Sequence, residues 1–509
     1  KCGKITKAES CSVEVENYFG IPFAKPPIGK LRFSAPQRAE PWAGILCEKS
    51  VKKIPLQSVG SLNLSSNFRI SKNIFSQKNA TEDCLYLSIY APSIRKSHPL
   101  PVMVWFYGGS FQMGPSVKFD ATALAAMNEV IVVVPNYRVG IFGFLSLGHE
   151  TECKGNMGLL DQLESLKWVK ENIEYFGGDK NNVTIFGESA GGISVHMHMM
   201  SPLSAGYFHK AISHSGTANM PVIHFSGVYF SDQQRIVTKL LESLNIKETD
   251  PSLVLHQLQN LPADQLVDYN AVQFRFGWYP TFDNHFFKTS PEMATVAKVP
   301  FLLGCNSDEG GWLMALTTPN FISGLSKQEF SHYARILLRK YDKTIDYNKA
   351  LPVLIMRYSR GLDVKDKMYY SNLYGRMMGD CIFVNRIIQT SQANSDKGVD
   401  TFLYFMSHPP LHKLPDHIGT DHADDIPFTF GLPFLPNSLK SGYRFSADEA
   451  KLSKNMMTFF TNFAKTGNPN KPLPLETEWP LYNSESRKHV EFTVPSIKVG
   501  SNLGLLLII

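Results

Sequence analysis

The sequence of 509 residues lacks any apolar run close to the roughly 20 residues that a membrane-spanning helix needs. It also lacks low-complexity blocks and dense runs of lysine and arginine with interleaved aromatic residues, and its net charge is only +6. These absences argue against a membrane-spanning protein, a largely disordered chain and a nucleic-acid-binding protein. Hydrophobic residues make up 43% and charged residues 19% of the chain, which is typical of a globular protein with a sizeable core.

The sequence contains few signals that indicate the cellular compartment. The chain starts at Lys1 without the charged and then apolar segments of a signal peptide, which is compatible with a mature form. Glycosylation sequons begin at Asn63, Asn79 and Asn182, and their presence is compatible with secretion. The cysteines number seven, so at least one of them is free or pairs with another chain.

Short apolar runs alternate with helix-like segments along the chain. Residues 101–106 and 130–135 are predicted to be central strands because nearly every residue in them is apolar. Apolar residues recur at helical spacing over 159–175, which predicts a helix. A Gly-Gly-Asp turn ends this pattern, and a short strand is predicted at 183–186. The same patterns predict later strands at 298–305 and Thr401–Met406, a helix at 232–244, and a final helix that opens with the capping box of Ser446 and Glu449. This alternation predicts an α/β protein, and without a linker or repeat we expect residues 1–509 to form a single domain with insertions.

The clearest chemical motif follows the predicted strand at 183–186. Residues 187–191 have the sequence Gly-Glu-Ser-Ala-Gly, which matches G-x-S-x-G, and a helix-compatible stretch comes next. In the α/β-hydrolase fold this motif holds a nucleophilic serine on a strained turn between a strand and a helix. The two glycines let strand and helix approach closely. The sequence therefore predicts an α/β-hydrolase fold, with a large, mostly parallel sheet flanked by helices, and Ser189 as the nucleophile.

A nucleophilic serine needs a base, and the base needs a carboxylate that orients it and stabilises its cation. In this fold the acid and then the histidine follow the serine, each on a loop at the carboxyl edge of the sheet. Glu309 and His422 follow predicted strands in that order. Spacing alone leaves three neighbours as alternatives: Asp308 for the acid, and His412 or His417 for the base.

An acyl-transfer site also needs backbone N–H groups that face the developing oxyanion, each worth about 3 kcal/mol. Gly108, Gly109 and Ser110 follow the strand at 101–106, where such a loop belongs, and a simple turn is the alternative interpretation. The N–H of Ala190 would complete this oxyanion hole. Glu188, inside the serine motif, is interpreted as a structural or pocket-floor residue rather than an acid catalyst.

Over nearly its whole length the sequence resembles the carboxylesterase and cholinesterase family, the type B carboxylesterases. The resemblance rests on residues 18–24, 31–33, 82–87, 136–140, 155–162 and 186–192. It implies a catalytic triad of Ser189, Glu309 and His422. It also implies that the oxyanion donors are Gly109, Ser110 and Ala190. A supporting serine falls on Ser215, near Glu309. Two structural ion pairs fall on Arg32 with Glu82 and on Arg138 with Asp161.

The sequence departs from the family at several positions. Ser110 stands where relatives have a third glycine, so an unusual φ there would add strain. Cys84 matches one half of a family disulfide whose usual partner position holds Pro55, and Cys47 is the nearest replacement. The family's second disulfide has no cysteine pair between Cys153 and Cys305. Residues 57–80 lack the tryptophan that cholinesterases use to hold a quaternary ammonium group, so acetylcholine is not the expected substrate.

We expect hydrolysis of small or lipophilic carboxylic esters through an acyl-enzyme, with a small-molecule or lipid ester as partner and without a metal or organic cofactor. The alternatives are a lipase or acyl-CoA thioesterase on the same triad, an esterase that turns over slowly because of Ser110, and an adhesion protein similar to neuroligins. Such adhesion proteins have usually lost a triad member, whereas this chain keeps all three. The C-terminus lacks a His-x-Glu-Leu type retention tail, so secretion is expected rather than retention in the endoplasmic reticulum lumen. The sequence predicts no oligomeric state.

Overall fold

The computed structural model describes residues 4–8, 11–57, 79–93, 98–220, 230–272, 277–289, 294–341, 344–411, 418–439 and 443–503. Its strands are β1 (Lys4–Lys7), β2 (Glu14–Pro22), β3 (Ile54–Pro55), β4 (Ala80–Thr81), β5 (Tyr86–Pro92), β6 (Leu100–Phe106), β7 (Ile131–Pro135), β8 (Gly178–Glu188), β9 (Lys210–His214), β10 (Phe301–Asn306), β11 (Thr401–Met406), β12 (His489–Phe492) and β13 (Lys498–Gly500).

The α-helices are α1 (Thr122–Asn128), α2 (Gly140–Phe144), α3 (Met157–Asn172), α4 (Ala190–Met200), α5 (Phe230–Ser243), α6 (Pro251–Asn260), α7 (Ala263–Val272), α8 (Gly310–Thr317), α9 (Lys327–Tyr341), α10 (Tyr347–Tyr358), α11 (Tyr369–Gly379), α12 (Asn385–Asp396), α13 (Ile426–Thr429) and α14 (Ala447–Thr466). A π-helical turn at Asp380–Val384 joins α11 to α12.

One large sheet organises the molecule. Eleven strands follow the order β1-β2-β5-β7-β6-β8-β9-β10-β11-β12-β13. The strands from β7 to β12 in this order run parallel to one another, and antiparallel pairs lie only towards the two edges. Because parallel strands end at the same edge, the loops after β6, β8, β9, β10 and β11 meet there. The predicted α/β-hydrolase architecture is confirmed.

Side chains of the central strands feed two cores, one on each face of the sheet. In β6, Val102, Val104 and Phe106 enter the core that contains α3 and α4. Met103 and Trp105 point the other way, into the core that contains α1 and α14. Both faces are covered by helices, which explains why the central strands are continuous apolar runs rather than alternating ones. A third cluster lies among α8, α9, α10 and α11.

Several predicted elements differ from the observed ones at their ends. The strand predicted at 183–186 begins five residues earlier, at Gly178, because a polar segment extends it where the apolar pattern gives no signal. The predicted strand at 298–305 starts only at Phe301. The final helix matches the prediction, with Ser446 and Glu449 forming a reciprocal capping box and Gly467 ending the helix at a φ of 80°.

Two expectations about cross-links have different outcomes. Both ion pairs are present: Arg32 Nε lies 2.6 Å from Glu82 Oε1, and Arg138 Nη2 lies 2.7 Å from Asp161 Oδ1. The expected pairing of Cys84 with Cys47 is wrong, since Cys84 is a free thiol. It is buried beside the sheet. The cysteines at 11, 153 and 305 are also free.

The three sequons lie in different surroundings. Asn79 is exposed, as glycosylation requires, whereas Asn63 lies outside the described residues. Asn182 is half-buried, and its Nδ2 donates to the Lys465 carbonyl at 3.2 Å while Lys210 donates to its Oδ1. None of the helices in the described ranges is long and apolar enough to cross a bilayer.

Candidate active site

Ser189 sits at the sharp turn between β8 and α4. Its backbone φ of 56° and ψ of −124° lie in a region that non-glycine residues rarely adopt. The Ser189 N–H donates to the His214 carbonyl at 2.9 Å, which fixes the turn to the end of the neighbouring strand β9. The strained turn presents the serine at the carboxyl edge of the sheet.

Two glycines make this turn possible. A β-carbon at Gly191 would lie 1.8 Å from the Phe106 carbonyl oxygen, and one at Gly187 would lie 2.6 Å from the backbone of Gly191. Helix α4 therefore packs against β6 and β8 at a distance that no side chain allows. This close approach is the physical reason for the glycines of the G-x-S-x-G motif.

Glu309 and His422 are in direct contact although 113 positions separate them in the chain. His422 Nδ1 lies 2.5 Å from Glu309 Oε2. The other carboxylate oxygen, Oε1, accepts hydrogen bonds from Ser215 Oγ at 2.5 Å and from the Asn306 N–H at 2.7 Å. Glu309 is fully buried, so these donors hold its carboxylate in one orientation.

The neighbouring alternatives occupy other positions. Asp308 accepts a hydrogen bond from Ser307 Oγ at 2.6 Å, and its carboxylate lies 4.0 Å from Arg376 Nε. His412 and His417 lie outside the described residues. Within the described part of the chain, the carboxylate that contacts His422 Nδ1 is that of Glu309.

The loop after β6 has an unusual backbone. Gly109 adopts a φ of 116°, and Ser110 adopts a φ of 56°, in the left-handed region. A side chain at Gly109 would collide with the Met113 carbonyl oxygen, 2.2 Å from an added β-carbon. Within the described part of the chain, the N–H groups of Gly109 and Ser110 donate no hydrogen bond. These backbone groups remain available to a ligand.

The loop also lies against the serine. A β-carbon at Gly108 would lie 2.8 Å from the β-carbon of Ser189 and 2.6 Å from Glu188 Oε2. Ala190, the first residue of α4, is buried beside them, at the positive end of the helix. The predicted oxyanion residues and the predicted nucleophile therefore share one small region of the sheet edge.

Glu188, interpreted from the sequence as a structural or pocket-floor residue, lies directly beside the His422 imidazole. Its Oε1 is 3.1 Å from His422 Nε2, and neither atom makes a hydrogen bond to another described residue. Burial raises the pKa of Glu188 to about 7. Burial by itself lowers the pKa of His422, but the negative charges of Glu188 and Glu309 outweigh it and raise that pKa to about 9.

Aromatic rings and backbone contacts hold the imidazole from the remaining sides. The Phe383 ring, on the π-helical turn, lies 4.6 Å from the His422 ring, centroid to centroid, and the Trp312 ring lies 5.6 Å away. Asp421 Oδ1 accepts from the N–H groups of His422 at 2.8 Å and Trp312 at 3.0 Å. The loop that carries His422, residues 421–425, is called the histidine loop. These contacts join it to the start of α8, directly after Glu309.

Sequence reasoning missed a second group of polar residues beneath the triad. Asn306, His214, Tyr404 and Asp425 are all buried, and they hydrogen-bond to one another at the ends of β9, β10 and β11. Their only sequence signal is adjacency, since His214 precedes Ser215 and Asp425 follows His422 by three positions. No group of three or more histidine, cysteine or acidic side chains in the described ranges is arranged to hold a metal ion.

Comparison with known proteins places this site in a family. A family model described as "Carboxylesterase family" matches residues 2–504. Carboxylesterase 1C of Mus musculus is 36% identical over 95% of this chain and 86% of its own length. Carboxylesterase 5A of Felis catus is 34% identical, over 98% of this chain and 90% of its own length. The "Fatty acyl-CoA hydrolase precursor, medium chain" of Anas platyrhynchos is 33% identical over 95% of this chain and 86% of its own. The chain belongs to the carboxylesterase family and is a carboxylesterase-type serine ester hydrolase.

Proposed function

We propose that Ser189 is the nucleophile, His422 the general base and Glu309 the acid that orients His422. The observation that carries this assignment is the 2.5 Å contact between Glu309 Oε2 and His422 Nδ1. That contact places the imidazole proton on Nδ1 and leaves Nε2 as the atom that exchanges protons with the substrate and the serine.

The reaction proceeds through an acyl-enzyme. Ser189 Oγ attacks the ester carbonyl carbon while its proton passes to His422 Nε2. The oxyanion forms beside the N–H groups of Gly109, Ser110 and Ala190, and its collapse breaks the carbon–oxygen bond to the alcohol, which takes the proton from His422. A water molecule then gives a proton to His422 Nε2 and attacks the acyl carbon. Collapse of this second intermediate breaks the bond from the acyl carbon to Ser189 Oγ, which takes the proton back from His422 as the carboxylic acid leaves.

We propose small or lipophilic carboxylic esters as the substrates. Phe383 and Trp312 line the imidazole with aromatic surface, which favours apolar acyl or alcohol groups. The name of the Anas platyrhynchos relative supports acyl-CoA thioesters as a second candidate class. Comparing the kcat/KM of nitrophenyl butyrate with that of butyryl-CoA separates the two, because a thioesterase would favour the second substrate.

The acid is tested by two isosteric variants. Glu309→Gln should lower kcat by about 10,000-fold, because the imidazole loses the partner that fixes its tautomer. Asp308→Asn is the matched control, since this neighbouring carboxylate contacts Ser307 and Arg376 instead of the imidazole. Equal losses in the two variants, or a larger loss in Asp308→Asn, would overturn the assignment of Glu309.

We also propose that the protein is a secreted glycoprotein folded as a single domain over residues 1–509. The exposed sequon at Asn79 and the sheet that draws strands from β1 to β13 support this proposal. Glycosidase treatment should reduce the mass of the protein expressed in animal cells, and Asn79→Gln should abolish part of that change.

A further inference from the structure

A buried polar residue at the end of β10, Asn306, contacts Glu309 and both ends of the loop that carries His422. The Asn306 N–H donates to Glu309 Oε1 at 2.7 Å. Its side-chain Nδ2 donates to the Asp421 carbonyl at 2.7 Å and to Asp425 Oδ1 at 3.3 Å. Asp421 and Asp425 flank the loop that carries His422. One residue therefore joins the acid to both sides of the base.

Asp425 extends this connection to the neighbouring strands. Its Oδ2 lies 3.0 Å from His214 Nδ1, at the end of β9, and accepts from the Tyr404 hydroxyl of β11 at 2.8 Å. Burial by itself raises the pKa of Asp425, but hydrogen bonds with His214, Tyr404 and Asn306 outweigh it and lower that pKa. A charged carboxylate with three donors is thus anchored to the ends of three adjacent strands.

The histidine loop depends on these anchors because its own conformation is strained. Ala423 has a φ of 68°, in the left-handed region. Short turns bridge the loop, with the Asp424 N–H donating to the Asp421 carbonyl and the Ile426 N–H donating to the Ala423 carbonyl, both at 3.2 Å. The loop between Asp421 and Asp425 is a compact unit, and its position relative to Glu309 follows from where its two ends are held.

We propose that Asn306 and Asp425 are positioning residues that set the distance and orientation of His422 relative to Glu309. The proposal rests on the catalytic roles proposed above for His422 and Glu309. A misplacement of about 1 Å in an acid–base pair can cost about 100-fold in rate, so loosening either anchor lowers kcat with little effect on substrate binding.

The test compares Asn306→Ala and Asp425→Asn with Glu449→Gln. Glu449 is a matched control because it is also a fully buried carboxylate paired with a histidine, its Oε1 lying 3.2 Å from His408 Nε2, and it contacts no triad residue. With nitrophenyl butyrate, we expect kcat to fall about 10- to 100-fold in the first two variants, with KM within twofold. Glu449→Gln should keep its kcat even where it lowers the thermal midpoint as much.

Two further readouts separate positioning from packing. Fluorophosphonate labelling should slow in parallel with kcat. Loss of the anchors also weakens the contact by which Glu309 raises the pKa of His422, so the acid limb of the kcat/KM profile should move to lower pH. Asn306→Asp should be at least as impaired as Asn306→Ala, because it places an acceptor opposite the Asp421 carbonyl. A space-filling role predicts the reverse order.

Each negative result has its own meaning. An inactive wild-type protein would overturn the proposed catalytic roles themselves. An active wild type with Asn306→Ala and Asp425→Asn no slower than Glu449→Gln would overturn only the positioning role. If Asp425→Asn does not fold, Tyr404→Phe removes one donor and keeps the charge, and an unchanged kcat in that variant would also overturn the proposal.

Discussion

Single residues at this site carry conformations and charges that ordinary positions avoid. Ser110 and Ser189 both have a φ of 56°. Glu188 places a second carboxylate 3.1 Å from the imidazole that Glu309 already contacts. The backbone conformation of Ser110 has a measurable consequence for stability. The carboxylate of Glu188 has one for the pH dependence of activity.

The backbone at Ser110 predicts that glycine is better tolerated there. Ser110→Gly should raise the free energy of unfolding by about 1 kcal/mol, because glycine adopts this left-handed conformation without steric cost. The donor N–H is kept, so kcat should not fall. Chemical denaturation of both proteins measures the difference, with Ser50→Gly, at an exposed position, as the control. A lower stability in Ser110→Gly would show that the serine makes a compensating contact.

The charge of Glu188 predicts a shift in pH dependence. A general base must be neutral, so kcat/KM should rise with pH as His422, with its pKa raised to about 9, loses its proton. Glu188→Gln removes the largest of the negative-charge effects that raise this pKa, ahead of those of Glu309 and Asp421. The acid limb should therefore move to lower pH.

The pH profiles of wild type and Glu188→Gln test this shift, with Glu164→Gln as control because Glu164 is a half-buried carboxylate on α3 that pairs with Lys167. A limb that stays in place in Glu188→Gln would mean that Glu188 does not influence the imidazole.

At the scale of elements, the elbow from β8 to α4 could be predicted because its requirements are local. Gly187 and Gly191 stand beside Ser189 in the sequence, and the close approach they permit follows from the motif. The contact between Glu309 and His422 is different, since 113 positions separate the two residues and spacing left neighbouring candidates open. The resemblance to a family, rather than periodicity, selected them.

No motif or family resemblance predicted the hydrogen-bond network around Asp425. Its members come from β9, β10, β11 and a loop, and only the register of the sheet brings them together. The contact of Glu188 with His422 was missed for the same reason. Polar residues that meet across strand ends leave no periodic pattern in the sequence.

Helix α14 offers a local test of the sequence-based reasoning. Ser446→Ala should lower the free energy of unfolding by about 1 kcal/mol, because the Glu449 N–H loses the side-chain oxygen that accepts it at 3.2 Å. Lys454→Ala, at an exposed position of the same helix, is the control. Activity should be unchanged in both variants, and equal stabilities would mean that the capping box contributes nothing.

The whole molecule places the chemistry at one edge of a sheet that is buried on both faces. Two large cores hold the strands rigid, so the loops after β6, β8, β10 and β11 meet with little freedom. The catalytic roles proposed for these buried groups benefit from this rigidity, since fixed dipoles and charges stabilise a transition state without rearranging. The fold therefore supplies both the strain at Ser189 and the anchoring of its partners.

Covalent catalysis by Ser189 is the step on which the whole proposed reaction depends. Turnover of nitrophenyl butyrate and labelling by a fluorophosphonate should be measured in parallel for wild type and Ser189→Ala, with folding of both checked by thermal unfolding. Wild type should turn over and become labelled, and the variant should lose kcat by on the order of a millionfold and remain unlabelled. A folded wild type that neither hydrolyses the ester nor reacts with the fluorophosphonate would overturn the proposed role of Ser189.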